Sequence, residues 1–267
     1  MKSFLLILLS LSCIAFLYLG NTYWQERTAV SSYNITSDNP SSEAVTSSSS
    51  AEPSEEIVPF ANWPEQAQAD YQAAVDNGET YKLALVGSPA LGKDENGWSV
   101  QVKDALEEEY GESLEVSIFQ YDTVSTDFIY GEDSDEVIDY APDMVLFEPF
   151  SLNDNSRGVS ADDNQYSIEF FLKELLGANE DVVMLLQPSH PIDGATYYPR
   201  DIEGLKEFAK EKDITYLDHW TAWPDSEELK SLLAEKQDGP NEDGHELWAD
   251  YLTDYFISDA KGKEDSQ

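Results

Sequence analysis

Ser88 and three histidines are the residues best equipped for nucleophilic chemistry. Ser88 closes the apolar run Leu83-Ala84-Leu85-Val86, after Gly87 and before Pro89 and Gly92. Four apolar residues in a row read as a strand buried on both faces, and the glycine, serine and proline stop it abruptly. A serine hydroxyl is a weak nucleophile until a base takes its proton, and the acyl chemistry it then performs needs donors for the oxyanion. The imidazoles His190, His219 and His245 are the three histidines, and the amide of Asn153 lies in Ser151-Leu152-Asn153-Asp154-Asn155. Plainer readings stand beside these. Gly-Ser-Pro is an ordinary loop, Asn-Asp-Asn is a good turn, and His190 fits a Ser-His-Pro turn. His219 beside Trp220 and Trp223 fits an interface aromatic, and His245 fits a cap of the last helix or a contact of Trp248. The single cysteine, Cys13, leaves no intrachain disulfide and no cysteine metal site. Three histidines without a ligand-spaced cluster make a metal centre improbable.

These residues need elements to bring them together. Helical patterns at 65–76, 98–110, 163–177, 199–211 and 243–258, with a helical or irregular stretch at 133–140, alternate with strands at 81–87, 114–120, 143–149, 181–187 and 214–218. Five strands alternating with helices predict α/β: a three-layer α/β/α domain on a five-stranded, mostly parallel sheet. In such a sheet the carboxyl ends of the strands share one rim. The residues that follow the strands are Ser88, then Asp122 and Thr123, then Ser151 to Asn155, then Ser189 and His190, then Asp218 and His219. His245 opens the last helix.

The chain divides into residues 1–27, 28–58, 59–260 and 261–267. Lys2 precedes an apolar run from Phe4 to Gly20, 17 residues that would span about 25 Å as a helix. With Tyr18 and Gly20 a poor cleavage pair, the reading is an uncleaved signal anchor holding the domain outside the cell membrane, with a cleaved signal peptide as the alternative. Residues 28–58, rich in Ser, Thr, Glu and Pro, read as a flexible tether. Residues 59–260 hold the α/β domain and 261–267 a frayed tail. With 54 acidic against 15 basic residues and a net charge of −39, the chain has no general affinity for nucleic acid or anionic membrane surfaces. Apolar residues at 41% with 12% aromatics suffice for a core. A calcium-binding surface lacks a DxDxDG-type loop, and a nucleotide phosphate loop at GSPALG lacks GxGxxG and GxxxxGK[ST].

Three stretches in order carry a resemblance to the SGNH or GDSL-type hydrolases. LALVGSPALGKDENGW is similar to that family's opening strand and GDSLTxG-x-ENGW, which implies Ser88 as nucleophile and places Gly92 on the later glycine. PDMVLFEPFSLNDN is similar to its PDlVii-x-x-GxND, which implies Asn153 as oxyanion donor. DGPNEDGHELWADYL is similar to its closing DGxHPNxxGHxxxA. The resemblance implies a flavodoxin-like architecture, a serine esterase and no metal or organic cofactor. The departures are specific. The GDS triplet is Val86-Gly87-Ser88, so the Asp before the nucleophile is missing. The glycine of GxND is Ser151, and the second-strand glycine has no equivalent in YDTVSTDF. The DxxH that carries the family's base is broken, with Gly239 at the position of the His and Lys236 at that of the Asp.

Three readings follow. His245 serves as the base, oriented by Asp238 or Asp243. Alternatively His190 or His219 takes over. In the third, catalysis is lost and a degenerate domain binds envelope glycan or a partner protein. On the enzymatic reading Asn153 and the amide of Ser88 or Gly92 hold the oxyanion, and His190, Tyr197 and Tyr198 contact a substrate. That substrate is a short acyl ester of an envelope glycan or lipid.

Overall fold

The structure, a computed structural model, describes residues 58–258 apart from 95, 225 and 226. The apolar run at 4–20, nearly all of the Ser-rich stretch and the tail lie outside the described residues. Within them no helix is long and apolar enough to cross a membrane.

In chain order the elements are α1 (Glu65–Asn77), β1 (Tyr81–Gly87), α2 (Trp98–Tyr110), β2 (Leu114–Gln120), α3 (Ser125–Tyr130), α4 (Asp133–Tyr140), β3 (Met144–Phe147), α5 (Ser151–Arg157), α6 (Ala161–Ala178), β4 (Val183–Leu186), α7 (Tyr198–Glu211), β5 (Thr215–Tyr216) and α8 (Glu242–Phe256), with short 3₁₀ turns between several of them. The five strands form one sheet in the order β2-β1-β3-β4-β5, and every pairing is parallel.

Alternation along the strands divides the core into two. Leu83, Leu85, Met144, Leu146 and Leu185 face α1, α2 and α8, meeting Tyr71, Trp98, Val102, Trp248 and Leu252. Ala84, Val86, Val145, Phe147, Met184 and Leu186 face the other helical layer, meeting Phe128, Val137, Ile168, Phe171 and Phe208. Strands covered on both faces have no solvent side, which is why their sequences are continuous apolar runs. The expected three-layer arrangement is present, and its sheet is wholly parallel.

Two elements differ from the sequence reading. Residues 151–155 belong to the short helix α5 and not to a loop, and α3 was not anticipated. The chain enters α5 through Phe150, a buried residue at φ 58°, a left-handed conformation that a bulky side chain holds only where packing enforces it. Strand order changes direction between β1 and β3, so the loops after these strands diverge and leave a crevice at the rim. On the outer strand β2, Lys103 Nζ donates to the Val116 carbonyl at 2.5 Å and Lys93 Nζ to that of Ile118 at 3.1 Å.

Candidate active site

Ser88 sits where β1 leaves the sheet, in an extended conformation that starts a 3₁₀ turn, Pro89–Leu91. Its Oγ accepts from the Ala90 N–H at 3.3 Å. Its own N–H does not face the crevice: it donates to Glu148 Oε2 at 2.8 Å. Glu148 is the first residue beyond β3, and its N–H continues the ladder by donating to the Val86 carbonyl at 2.8 Å. Gly87 makes room for this carboxylate. A Cβ there would lie 2.8 Å from Glu148 Cβ and 3.0 Å from Oε2.

Glu148 is completely buried. Burial drives its carboxyl pKa up to about 7, against the opposing pull of the Ser88 hydroxyl and N–H, which favour the ionised form. Its Oε1 has no hydrogen-bond partner among the described residues, and neither do the buried Ser151 Oγ and Gln187 Nε2. Sequence reasoning missed Glu148. The available signal was an acid at the end of the otherwise apolar Met144-Val145-Leu146-Phe147-Glu148, a place where an unpaired charge is costly.

His245, in the first turn of α8, reaches the crevice edge and is 8% exposed. Its Nδ1 accepts the Trp98 N–H at 3.2 Å. Trp98 is the first residue of α2, so this is one of the helix's unpaired amides. A ring nitrogen that accepts a backbone N–H carries no proton, so the neutral ring bears its proton on Nε2. Nε2 rests against Gly92, whose φ is +69°; a Cβ at Gly92 would come within 3.1 Å of it and within 2.6 Å of Gly97 Cα. Burial lowers the His245 pKa to about 4, so at neutral pH it is an uncharged donor. This corrects the expected base: its Nε2 lone pair is not available, and neither Asp238 nor Asp243 holds its Nδ1. Asp243 is exposed on the first turn of α8, and Asp238 acts through its charge on His190.

The other imidazoles are also engaged. Buried His190 has its Nε2 3.3 Å from the Gln237 carbonyl and its Nδ1 3.4 Å from Ser189 Oγ. Burial takes its pKa down to about 4. A carbonyl only accepts, so Nε2 holds the proton and Nδ1 is left as acceptor for the Ser189 hydroxyl. His219 is corrected more completely. Its Nε2 donates to the Pro188 carbonyl at 2.9 Å, its Nδ1 accepts from Trp223 Nε1 at 3.0 Å, and its ring lies flat on Trp248 with centroids 4.0 Å apart. It is a core histidine and does not reach the rim.

Asn153, on α5, donates one amide hydrogen to the Thr123 carbonyl at 2.7 Å and lines the crevice. Gly92 is not an oxyanion donor, because its N–H is given to the Pro89 carbonyl at 3.0 Å; its contribution is the close approach of His245. Tyr198 is also corrected. It is buried at the start of α7 and cannot touch a ligand in an open cleft, whereas Tyr197 next to it is 69% exposed. Neither tyrosine is on the cleft wall, which Ser88, Gly92, Asn153, His190, Asp238 and His245 share around about 480 Å³. Arg157 on the same wall is paired with Asp122. Asp154, read as a loop residue, is a buried clasp: it accepts from the Ser125 N–H at 2.8 Å, from Ser125 Oγ at 2.5 Å and from Asn164 Nδ2 at 2.8 Å.

The chain superposes on a protein assigned to the lipolytic G-D-S-L family from Desulfitobacterium hafniense DCB-2, with a TM-score of 0.54, 20% identity, and coverage of 66% of this chain and 99% of the other. This is the fold of the GDSL-type hydrolases. The SGNH fold is equally evident against a carbohydrate esterase of family 3 from Talaromyces cellulolyticus, at a TM-score of 0.56 and 14% identity over 65% of this chain and 95% of that one. A catalytic mutant of the acetylxylan esterase Axe2 from Geobacillus stearothermophilus aligns at 0.53 and 16% identity over 66% and 94%. No protein-family model and no curated protein sequence matches the chain. What the SGNH fold accounts for is the place of the crevice, at the carboxyl ends of β1 and β3.

Proposed function

We propose that the chain is an SGNH-type serine acyl hydrolase acting on short acyl esters of cell-envelope glycans or lipids. The observation that carries this reading is the position of Ser88. It stands at the switch point of a GDSL-type sheet, on the wall of a polar cleft shared with the Asn153 amide and the His245 Nε2–H. Attack by Ser88 Oγ on an ester carbonyl would place the developing oxyanion before two neutral donors, Asn153 Nδ2–H and His245 Nε2–H. Neutral donors fixed in advance stabilise such a charge without reorganisation. A histidine held neutral at a helix N-terminus is suited to this work, since it polarises a carbonyl without giving up a proton.

The envelope assignment rests on the apolar run at 4–20 and the Ser-rich stretch that follows it. Together they support a domain outside the cell, tethered to the membrane. Protease treatment of intact cells should then release the α/β domain, and its complete protection would refute that location.

The activity test uses a fluorophosphonate probe and 4-nitrophenyl acetate on the wild type and on Ser88→Ala. Labelling and turnover that vanish with Ser88→Ala support the hydrolase. A second reading, a degenerate domain that binds envelope glycan, is favoured by the engagement of every imidazole. A wild type that neither labels nor turns over would select it.

A further inference from the structure

If Ser88 attacks an ester, its proton needs an acceptor. The three imidazoles do not supply one in their observed hydrogen bonding. His219 uses both ring nitrogens inside the core, His190 gives Nε2–H to a carbonyl and turns Nδ1 to Ser189, and His245 faces the cleft with a proton already on Nε2. The carboxylate at the nucleophile is Glu148, whose Oε2 lies 2.8 Å from the Ser88 nitrogen and whose buried Oε1 has no hydrogen-bond partner among the described residues.

We propose that Glu148 is the general base for Ser88, filling from β3 the space left open by the glycine that replaces the Asp of the GDS triplet. The proposal rests on the acyl-hydrolase reading. Gly87 supports it directly, because any side chain there would collide with Glu148. The environment supports it as well. A base works best when its pKa is near the working pH, and Glu148 is raised to about 7 while His245 is lowered to about 4.

The proton balance follows from burial. As the Oγ–C bond forms and the carbonyl π pair moves to oxygen, the Oγ–H proton passes to Glu148. The tetrahedral intermediate collapses to the acyl-serine and expels an alkoxide. Glu148 is sealed behind Ser88 and does not reach that alkoxide, which takes its proton from water in the open cleft. The hydroxide so formed attacks the acyl-serine and the acid departs. Ser88 Oγ then recovers its proton from Glu148, leaving one ester and one water converted to one alcohol and one acid. Glu148 exchanges its proton with Ser88 alone, so the rate rises as the leaving alcohol becomes more acidic, sugar hydroxyls leaving faster than simple alkanols and phenols faster still.

The test is the pH dependence of kcat/KM for 4-nitrophenyl acetate, with a series of aryl and alkyl acetates at one pH. The full-length protein is used as wild type, Glu148→Gln and His245→Gln. In Glu148→Gln a neutral amide oxygen still accepts the Ser88 N–H. For the wild type, kcat/KM should fall on acidification with a limb near 7 and depend steeply on the leaving group. Glu148→Gln should lose at least about 100-fold and its limb, as expected for removal of a general base. His245→Gln should have a lower plateau and keep the limb. A wild-type limb near 4, or a shallow leaving-group dependence, overturns the proposal and returns the proton to a histidine; neither reading needs a variant that folds. Absence of turnover together with absence of fluorophosphonate labelling overturns the hydrolase reading itself, whereas labelling with a limb near 4 overturns only the role of Glu148.

Discussion

His219→Phe isolates one buried titration. In the wild type the ring is fully buried, stacked on Trp248 and bonded through both nitrogens, and its pKa is lowered to about 3, chiefly by burial. In the unfolded chain a histidine titrates near 6.5. Because the folded pKa is depressed, the unfolded state binds more protons below about 6.5. The stabilisation is therefore complete above that pH and is lost progressively toward about 3. At pH 4.5 the loss covers about two pH units, or roughly 3 kcal/mol at about 1.4 kcal/mol per unit. Phenylalanine keeps the stack and cannot titrate, but it leaves the Pro188 carbonyl and the Trp223 N–H unpaired at about 1–3 kcal/mol each. At pH 8 the variant should be less stable by about 2–6 kcal/mol. At pH 4.5 the gap should narrow by about 2–3 kcal/mol, because only the wild type pays for burying an uncharged imidazole. Urea unfolding followed by far-ultraviolet circular dichroism at both pH values measures this. A gap that is the same at pH 8 and pH 4.5 would refute the assignment of His219 as a buried neutral base.

Two further predictions concern the frame. Asp154→Ala removes the acceptor of three hydrogen bonds that tie α5 to Ser125 and Asn164 and should cost about 3 kcal/mol in urea unfolding; a loss below about 1 kcal/mol would show that the clasp is dispensable. The net charge of −39 should make the melting temperature rise by several degrees between about 0.05 and 1 M NaCl, as screening relieves self-repulsion, and an unchanged value would show that the acidic surface is already compensated locally.

The layers of this fold were legible because the central strands carry apolar runs, Leu83–Val86 in β1, Met144–Phe147 in β3 and Val183–Leu186 in β4, and each main helix has its own period. Tyr81–Gly87 and Leu114–Gln120 end where the sequence places them. The short helices were not legible. Ser151–Arg157 carries a turn-like Asn-Asp-Asn, and what makes it helical is tertiary: the left-handed Phe150 that starts it and the clasp of Asp154 with Ser125 and Asn164. Of the residues expected on the rim, Ser88, Asn153, His190 and His245 line one cleft. Their protonation could not be read, because it depends on backbone partners distant in sequence. Trp98 is 147 positions from His245. Tyr198 was read as a substrate contact and His219, which follows the last strand, as an alternative base, but both turn into the core.

The lysines bonded to β2 bear on how open its outer edge is to a further strand. An outer strand offers unpaired carbonyls to any extended segment that meets it, and charge repulsion weakens that threat only while salt is low. A chain so acidic loses much of that protection in brine. With 15 basic residues in all, it commits Lys93 and Lys103 to the carbonyls of Ile118 and Val116. A carbonyl already bonded to an ammonium group is a poor acceptor for an incoming strand. Two carbonyls of the β2 edge are thus occupied by short-range bonds, which salt screens far less than long-range repulsion.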